Sequence, residues 1–344
     1  MGANLLVDVC EKGEHVALSR ERDTVNRPAR RGVAPAVKTT IPVPLLAALL
    51  LAALLPAVLP LAAAGQPAPP QTSTVPLRNG VYLLRGGSNA VLAVGTDGAA
   101  LVDSEFRNPD GLLQRIADIT SVPVRYVVNT HAHPDHVGGN VRLAGLGAII
   151  VATEGAADAM AQPFPGPNGR EEPPIDAAGL PRETFQGSRT IVVGGQEARI
   201  IEAPRSHSAS DAYVHFPAAN VIVMGDLHHS NEYPVYDANM GCRCGSFEGN
   251  LQAYDAMLAI ADDDTIFVPG HGGPTNKREV AAYVAMLRRV RDEVSMAIGR
   301  GLNADDVVAL RLLADDRSPT WPGPDNRDAF IRVLFNALTT GVGR

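Results

Sequence analysis

The chain has 344 residues, 45% hydrophobic and 19% charged, with 30 basic against 37 acidic side chains. That is ordinary globular composition, long enough for one large core or two modest ones. Residues 65–344 carry 23 basic against 32 acidic side chains, so the body of the protein lacks the basic surface that draws a nucleic acid.

Residues 1–40 are polar, mixed in charge and without apolar period, which predicts a disordered n-region or a start lying downstream, near Val33 or Val37. Arg27, Arg30, Arg31 and Lys38 then precede an almost continuous Leu/Ala/Val run from Pro44 to Ala64 that ends in Ala62-Ala63-Ala64. Residues 41–64 therefore read as the apolar region and cleavage site of a signal peptide, cut near Ala64. The competing reading is an uncleaved anchor, because the run approaches the ~20 residues that span a bilayer. Pro56, Pro60 and the small residues at the end favour cleavage. A periplasmic or secreted protein is expected, touching the membrane only through this segment. Of the three cysteines, Cys10 leaves with the precursor, and Cys242 and Cys244 stand too close for an easy disulfide and are assigned no role.

A Pro-rich linker follows at 65–74. Short apolar runs at Val81–Leu84, Ala90–Val94 and Ala99–Val102, separated by Gly-rich turns, predict a strand meander. Asn108-Pro109 opens a helix, Asn108 capping and Pro109 at the first position, with Leu112, Ile116 and Ile119 at helical spacing. Val124–Val128 is a buried strand running into Asn129-Thr130-His131. Further strands are expected at Ala148–Ala152, Thr190–Val193, Ala198–Glu202, Ala212–Phe216, Val221–Met224 and Thr265–Val268, with a Pro- and Gly-rich surface loop at Gln162–Pro181. Val280, Val284, Leu287, Val290, Val294 and Ile298 mark a long amphipathic helix, followed by one capped by Asn303 and one around Asp328–Leu338. Interspersed strands and helices suit an α/β sandwich better than a doubly wound sheet.

The chemistry sits where strands end. His131, His133, Asp135 and His136 fall within six residues after a strand, and imidazole nitrogen and carboxylate oxygen are donors that zinc accepts. Three histidines and an aspartate in one short turn are hard to explain as packing, since each would need a buried partner. His207, Asp226 and His271 share the setting, each ending an apolar run. His15, His215, His228 and His229 have no such placing.

The H-A-H-P-D-H run at His131–His136, then R-S-H at His207, M-G-D at Asp226 and P-G-H-G at His271, in that order, resembles the metallo-β-lactamase-fold superfamily. The stretch from Gly225-Asp226 through Tyr233-Pro234 and Asp237, continued by 265–274, is similar to its bacterial metallo-hydrolase and cyclase branch. The resemblance implies a four-layer αββα sandwich over residues 75–275, with residues 276–344 as a helical extension packed on it. It implies two Zn2+ per chain: His131, His133 and His207 on the first, Asp135, His136 and His271 on the second, Asp226 bridging. Asp103 would orient a ligand histidine. Ser210-Asp211 stands where the family usually has Gly-Asp, and Gly241-Cys242-Arg243-Cys244-Gly245 is longer than the family's Gly-Gly turn.

The expected activity is a zinc-dependent hydrolase whose metals share a hydroxide that attacks an ester, lactone, thioester or amide-type bond. Asp135 would also help orient or deprotonate the water. Tyr233 and Tyr236 are candidates for substrate contact. Ser206-His207-Ser208 lacks the G-x-S-x-G elbow of a serine hydrolase. True β-lactamase activity is the runner-up, because Asp226 stands where many zinc β-lactamases carry cysteine. An iron-dependent redox enzyme of the same fold is the alternative from another class, opposed by His133 where di-iron members typically have an acidic residue. The partner expected is a small molecule, not a nucleic acid, and the sequence leaves the oligomeric state open.

Overall fold

The structure is a computed structural model that describes residues 72–105, 108–165, 171–230, 232–236, 245–313 and 324–340. The leader, the apolar segment with its cleavage site, nearly all of the linker, Asp237, Cys242 and Cys244 lie outside the described residues. Among the described residues, no helix is long and apolar enough to cross a membrane.

The first half begins as an antiparallel meander: β1 (Ser73–Pro76), β2 (Val81–Arg85), β3 (Asn89–Val94) and β4 (Ala99–Val102) pair in order. β1 takes up Ser73 and Thr74, which the sequence assigned to the linker. Helix α1 (Pro109–Ile119) starts as expected, the Asn108 side chain accepting from the Gly111 N–H and Pro109 filling the first position. Crossovers then add parallel strands: β5 (Val124–Val128) beside β4, β6 (Ile149–Thr153) beside β5, and β9 (Glu183–Phe185) beside β6. The connections carry a single turn, α2 (Pro134–Val137), and two short helices, α3 (Asn140–Gly145) and α4 (Glu154–Met160). The expected surface loop holds a two-residue strand pair, β7 (Phe164–Pro165) with β8 (Glu171–Glu172), and a 3-10 turn at Ala177–Gly179.

The second sheet repeats the scheme. β10 (Ser188–Val193), β11 (Gln196–Glu202), β12 (Ala212–Phe216) and β13 (Val221–His229) form a meander. Helix α5 (Phe247–Ile260) crosses over to β14 (Ile266–His271), parallel to β13, with β15 (Thr275–Asn276) at the edge. Helices α6 (Lys277–Gly299), α7 (Ala304–Ala309) and α8 (Pro324–Thr340) follow.

Where helices cover the outer face, as over β3, β4 and β13, the strands read as continuous apolar runs, whereas β10 and β11 alternate buried with exposed positions. Neighbouring residues part to opposite faces with the two-residue period of a strand. Val91, Val102 and Val128 meet Ile200, Val214, Val223 and Val268 between the sheets. Leu92, Leu101 and Val127 meet Leu112 and Ile116 of α1 and Leu143 of α3 outside the first sheet. Ile222, Met224 and Phe267 meet Tyr254 of α5, Leu287 of α6 and Leu334 of α8 outside the second. The layers are therefore helix, sheet, sheet, helix. Burying each such side chain is worth roughly 1.5–3 kcal/mol.

Helix α5 has no counterpart in the sequence reading. Gly249 and Asn250 are weak helix formers in its first turns. Tertiary bonds fix it instead, the Asn250 amide and the Tyr254 hydroxyl both donating to the Leu227 carbonyl at 3.1 and 2.7 Å.

Candidate metal centre

The donors gather on one rim, just after β4 and β5, in the C-terminal parts of β13 and β14, and on the β11–β12 loop. Asp103 leaves β4 in a left-handed conformation, φ 59°, which turns its buried carboxylate toward the loop after β5. There Oδ1 accepts the Thr130 N–H at 2.8 Å and Oδ2 accepts the Thr130 hydroxyl at 2.9 Å. The same Oδ2 is 2.8 Å from His136 Nδ1, so His136 carries its proton there and turns Nε2 inward.

Within the loop, His133 is the N-cap of α2 and Pro134 begins it. That single turn carries Asp135 and His136, whereas His131 and His133 precede it. The carbonyl of His136 accepts the Ser104 N–H at 2.7 Å, and the Asn140 amide donates to Asn129 Oδ1 at 2.8 Å, so buried polar groups clamp the turn. The hydroxyl of Thr130, already donating to Asp103, accepts a hydrogen bond from His131 Nδ1–H at 3.0 Å. His207 Nδ1 donates to the Val235 carbonyl at 2.7 Å. His131, His136 and His207 thus all present an unprotonated Nε2 to the centre when neutral.

Asp226 joins the two halves. Its Oδ2 lies 3.8 Å from His131 Nε2, 3.6 Å from His207 Nε2 and 3.5 Å from His271 Nε2, and its Oδ1 lies 3.1 Å from His136 Nε2. His133 Nδ1 is 3.0 Å from His207 Nε2. Asp135 Oδ2 is 3.1 Å from His271 Nε2 and 3.6 Å from His136 Nε2. Two glycines make room: a Cβ on Gly270 would stand 1.8 Å from Asp226 Oδ1, and one on Gly225, at φ +54°, 2.6 Å from Thr130 Oγ1.

These residues fit metal ions. His131 Nε2, His136 Nε2 and Asp226 Oδ1 are buried without a hydrogen-bond partner, an arrangement that is costly unless a cation completes it. Donor atoms about 2.1 Å from one zinc stand about 3.0–3.5 Å apart at bond angles of 90–110°, close to the spacings here. Two separate donor sets result, His131/His133/His207/Asp226 and Asp135/His136/His271, and a third group, Asp226/His229/His271, shares a residue with each.

The two sets differ in charge state in the metal-free protein. Burial, then the neighbouring His136 and His133, hold His131 well below the usual imidazole range. Burial also lowers His207, against the pull of Asp226. Burial opposes the charged form of His136 too, but Asp226 and Asp103 outweigh it and raise this group well above its ordinary value. Against the same burial penalty, Asp226 and Asp135 push His271 up to about 10. Burial would raise Asp135, yet the hydrogen bond from His271 and the charge of His136 bring it to about 2. Asp226, also penalised by burial, is held well below the carboxylate range by His136, His229 and His271.

Two features depart from the sequence reading. Tyr233 and Tyr236, the candidates for substrate contact, are both buried in the apolar core: Tyr233 stacks on Phe330 of α8 with ring centroids 4.9 Å apart, and Tyr236 lies edge-on to Phe247 of α5 at 6.5 Å. A loop position alone could not show this burial. His229, given no placing, stands in the centre, its Nε2 3.1 Å from Asp226 Oδ2. Strict alternation from Asp226 would put His228 on the site side and His229 away. Instead β13 advances four residues, Gly225 to His229, while β14 advances two, Pro269 to His271. This bulge returns His229 to the site and sends His228 outward, 2.9 Å from the Tyr254 hydroxyl. Gly225 inside an apolar strand was the available signal. Beside the centre, a cavity of about 330 Å³ is lined by Arg85, Gly86, Gly87, Ser88, Asn89, His271 and Gly272, with Ser73 at its edge.

Hydroxyacylglutathione hydrolase of Hyphomonas neptunium (strain ATCC 15444) is 28% identical over 141 residues, 41% of this chain and 43% of that protein. The chain thus spans less than half the length of that relative. Hydroxyacylglutathione hydrolase of Rhodospirillum rubrum is 27% identical over 261 residues, covering 74% of this chain and 83% of the relative. Among solved structures, a metallo-beta-lactamase from Pontibacter korlensis superposes with a TM-score of 0.52 at 19% identity over 63% of this chain and 99% of that one, a likeness of fold. The profile of the metallo-beta-lactamase superfamily matches residues 83–271, from β2 to the last histidine of the centre, and the chain belongs to that superfamily.

Proposed function

We propose that this protein is an exported hydrolase, holding two zinc ions per chain, that cleaves an ester-like bond of a small molecule, with a thioester or lactone as the preferred substrate class. The observation that carries the reading is the convergence of buried, unpartnered donor atoms, His131 Nε2, His136 Nε2 and Asp226 Oδ1, on one centre. His131, His133 and His207 would hold one ion, Asp135, His136 and His271 the other, and Asp226 both. Bound there, the metals supply Lewis acidity and lower the pKa of water to about 7. The chain's own part is to fix donor orientation through Asp103 and Thr130, and to offer Asp135, 36% exposed, as the proton acceptor at the mouth of the site. Arg85 lines the adjoining cavity and would pair with an acidic substituent of the substrate. The hydroxyacylglutathione hydrolase relatives support the thioester choice.

Purified protein should hydrolyse thioesters or lactones faster than β-lactams or phosphodiesters, and lose the activity to a chelator. Elemental analysis should find close to two zinc ions per chain. Preference for β-lactams would move the substrate assignment to the antibiotic class, and iron in place of zinc would move the protein to redox chemistry. Export rests on the apolar segment Pro44–Ala64, and N-terminal sequencing of the recovered protein should begin near Gly65. An intact segment in the membrane fraction would establish the anchor instead.

A further inference from the structure

His229 repeats the design of His136. In His136, a carboxylate on Nδ1 (Asp103, 2.8 Å) leaves Nε2 aimed at Asp226, 3.1 Å from Oδ1. In His229, a carboxylate on Nδ1 (Glu232 Oε2, 2.9 Å) leaves Nε2 aimed at the other oxygen of Asp226, 3.1 Å from Oδ2. Both Nε2 atoms are buried and without a hydrogen-bond partner. A carboxylate holding the far nitrogen of an imidazole is how proteins fix the tautomer of a metal-ligating histidine.

His229 is also well placed relative to the second donor set. It is paired across the sheet with His271, ring centroids 4.7 Å apart, and its ring is farther, 6.2 Å, from that of His207. Asp226, His229 and His271 each offer an atom within 4.8 Å of the others. The side chain of His229 is 10% exposed against 27% for His271, so it sits deeper in the site than a histidine on the substrate side would.

We propose that His229 is itself a metal ligand, joining Asp226 and His271 on the second ion, and that Glu232 is the positioning residue that orients it. The assignment rests on the two-metal reading above. The competing account makes His229 only a charged neighbour of Asp226, in which case its removal frees that carboxylate and the second ion binds as well or better.

Chelator-stripped protein titrated with Zn2+ against a chromophoric chelator, and with Co2+ followed by its d–d absorption, separates these. Wild type should take up two ions. His229→Ala and His229→Gln should keep the first with unchanged affinity and bind the second at least 10- to 100-fold more weakly, with an altered spectrum for the second cobalt only. Glu232→Gln should shift the second affinity in the same direction by a smaller factor, without removing a donor from the centre. Melting curves identify folded variants, and the Gln and Glu232 variants carry the test if the Ala variant fails to fold. Unchanged second-ion affinity in a folded His229 variant overturns the assignment while leaving the two-metal reading standing. A wild-type stoichiometry near one overturns both.

Discussion

Two regions of the centre are built differently. His131, His133, Asp135 and His136 come from one turn after β5, clamped from behind by Asp103, Asn129 and Asn140, and their mutual spacing follows from six consecutive residues. His207, Asp226, His229 and His271 come from a loop and two strand ends of the other sheet, and stand together only because β13 pairs with β14 and bulges beside it. The first region is a local device that tolerates change elsewhere. The second is only as good as the sheet that carries it, and Asp226 is where the two meet.

The sharpest way to break this contrast is Asp226→Asn, which keeps size but removes the charge facing both donor sets. Turnover and second-ion affinity should fall at least roughly 100-fold, beyond what orienting residues contribute. A folded Asn variant with two zinc ions and full rate would sink the bridging role. Asp103→Asn disturbs the local region from behind, weakening the hold on His136 and Thr130. An effect of about 10- to 100-fold on activity or metal affinity is expected. A larger loss than that from Asp226→Asn would reverse the ranking of the two regions.

The charge states sharpen the comparison further. Metal ligands must be deprotonated. In the metal-free protein His131 and His207 are lowered and His136 and His271 raised, His271 to about 10. At neutral pH His131 and His207 are therefore ready, whereas His136 and His271 must release protons. The second ion should bind more tightly as pH rises from 6 toward 9, by about tenfold per unit for each proton released. Calorimetry in two buffers of different ionisation heat measures the protons directly, and release confined to the first equivalent would contradict the assignment.

Smaller effects are expected from the two buried tyrosines. Tyr233→Ala should cost about 3–5 kcal/mol of stability by opening a cavity against Phe330, with turnover of the folded fraction unchanged. Tyr236→Phe should be worth at most about 1 kcal/mol in either direction, because the hydroxyl is buried with no partner among the described residues. A selective rise in KM in either variant would return that residue to the substrate side.

Most strands were legible because stretches buried on both faces write themselves as unbroken apolar runs, as in Val221–Met224 and Ala99–Val102. Long α6 was legible from its 3.6-residue period, and α1 from its cap. Helix α5 was not, since its strongest constraints are bonds to the Leu227 carbonyl of another element. His229 was hidden for a related reason: a bulge changes which residues share a face, and bulges are fixed by what the neighbouring strand demands.

What the sequence determined by itself is therefore the short-range chemistry. Six residues of one turn fix four donors, and a strand-ending Asp103 supplies a carboxylate, because spacing along a chain bounds distance wherever few bonds intervene. What only the tertiary structure decided is which distant groups share the centre. It brought Asp226 within 4 Å of five histidines, His229 among them, and turned Tyr233 and Tyr236 into core. Those outcomes depend on strand order, register and the packing of α8, and no local interaction along the chain specifies them.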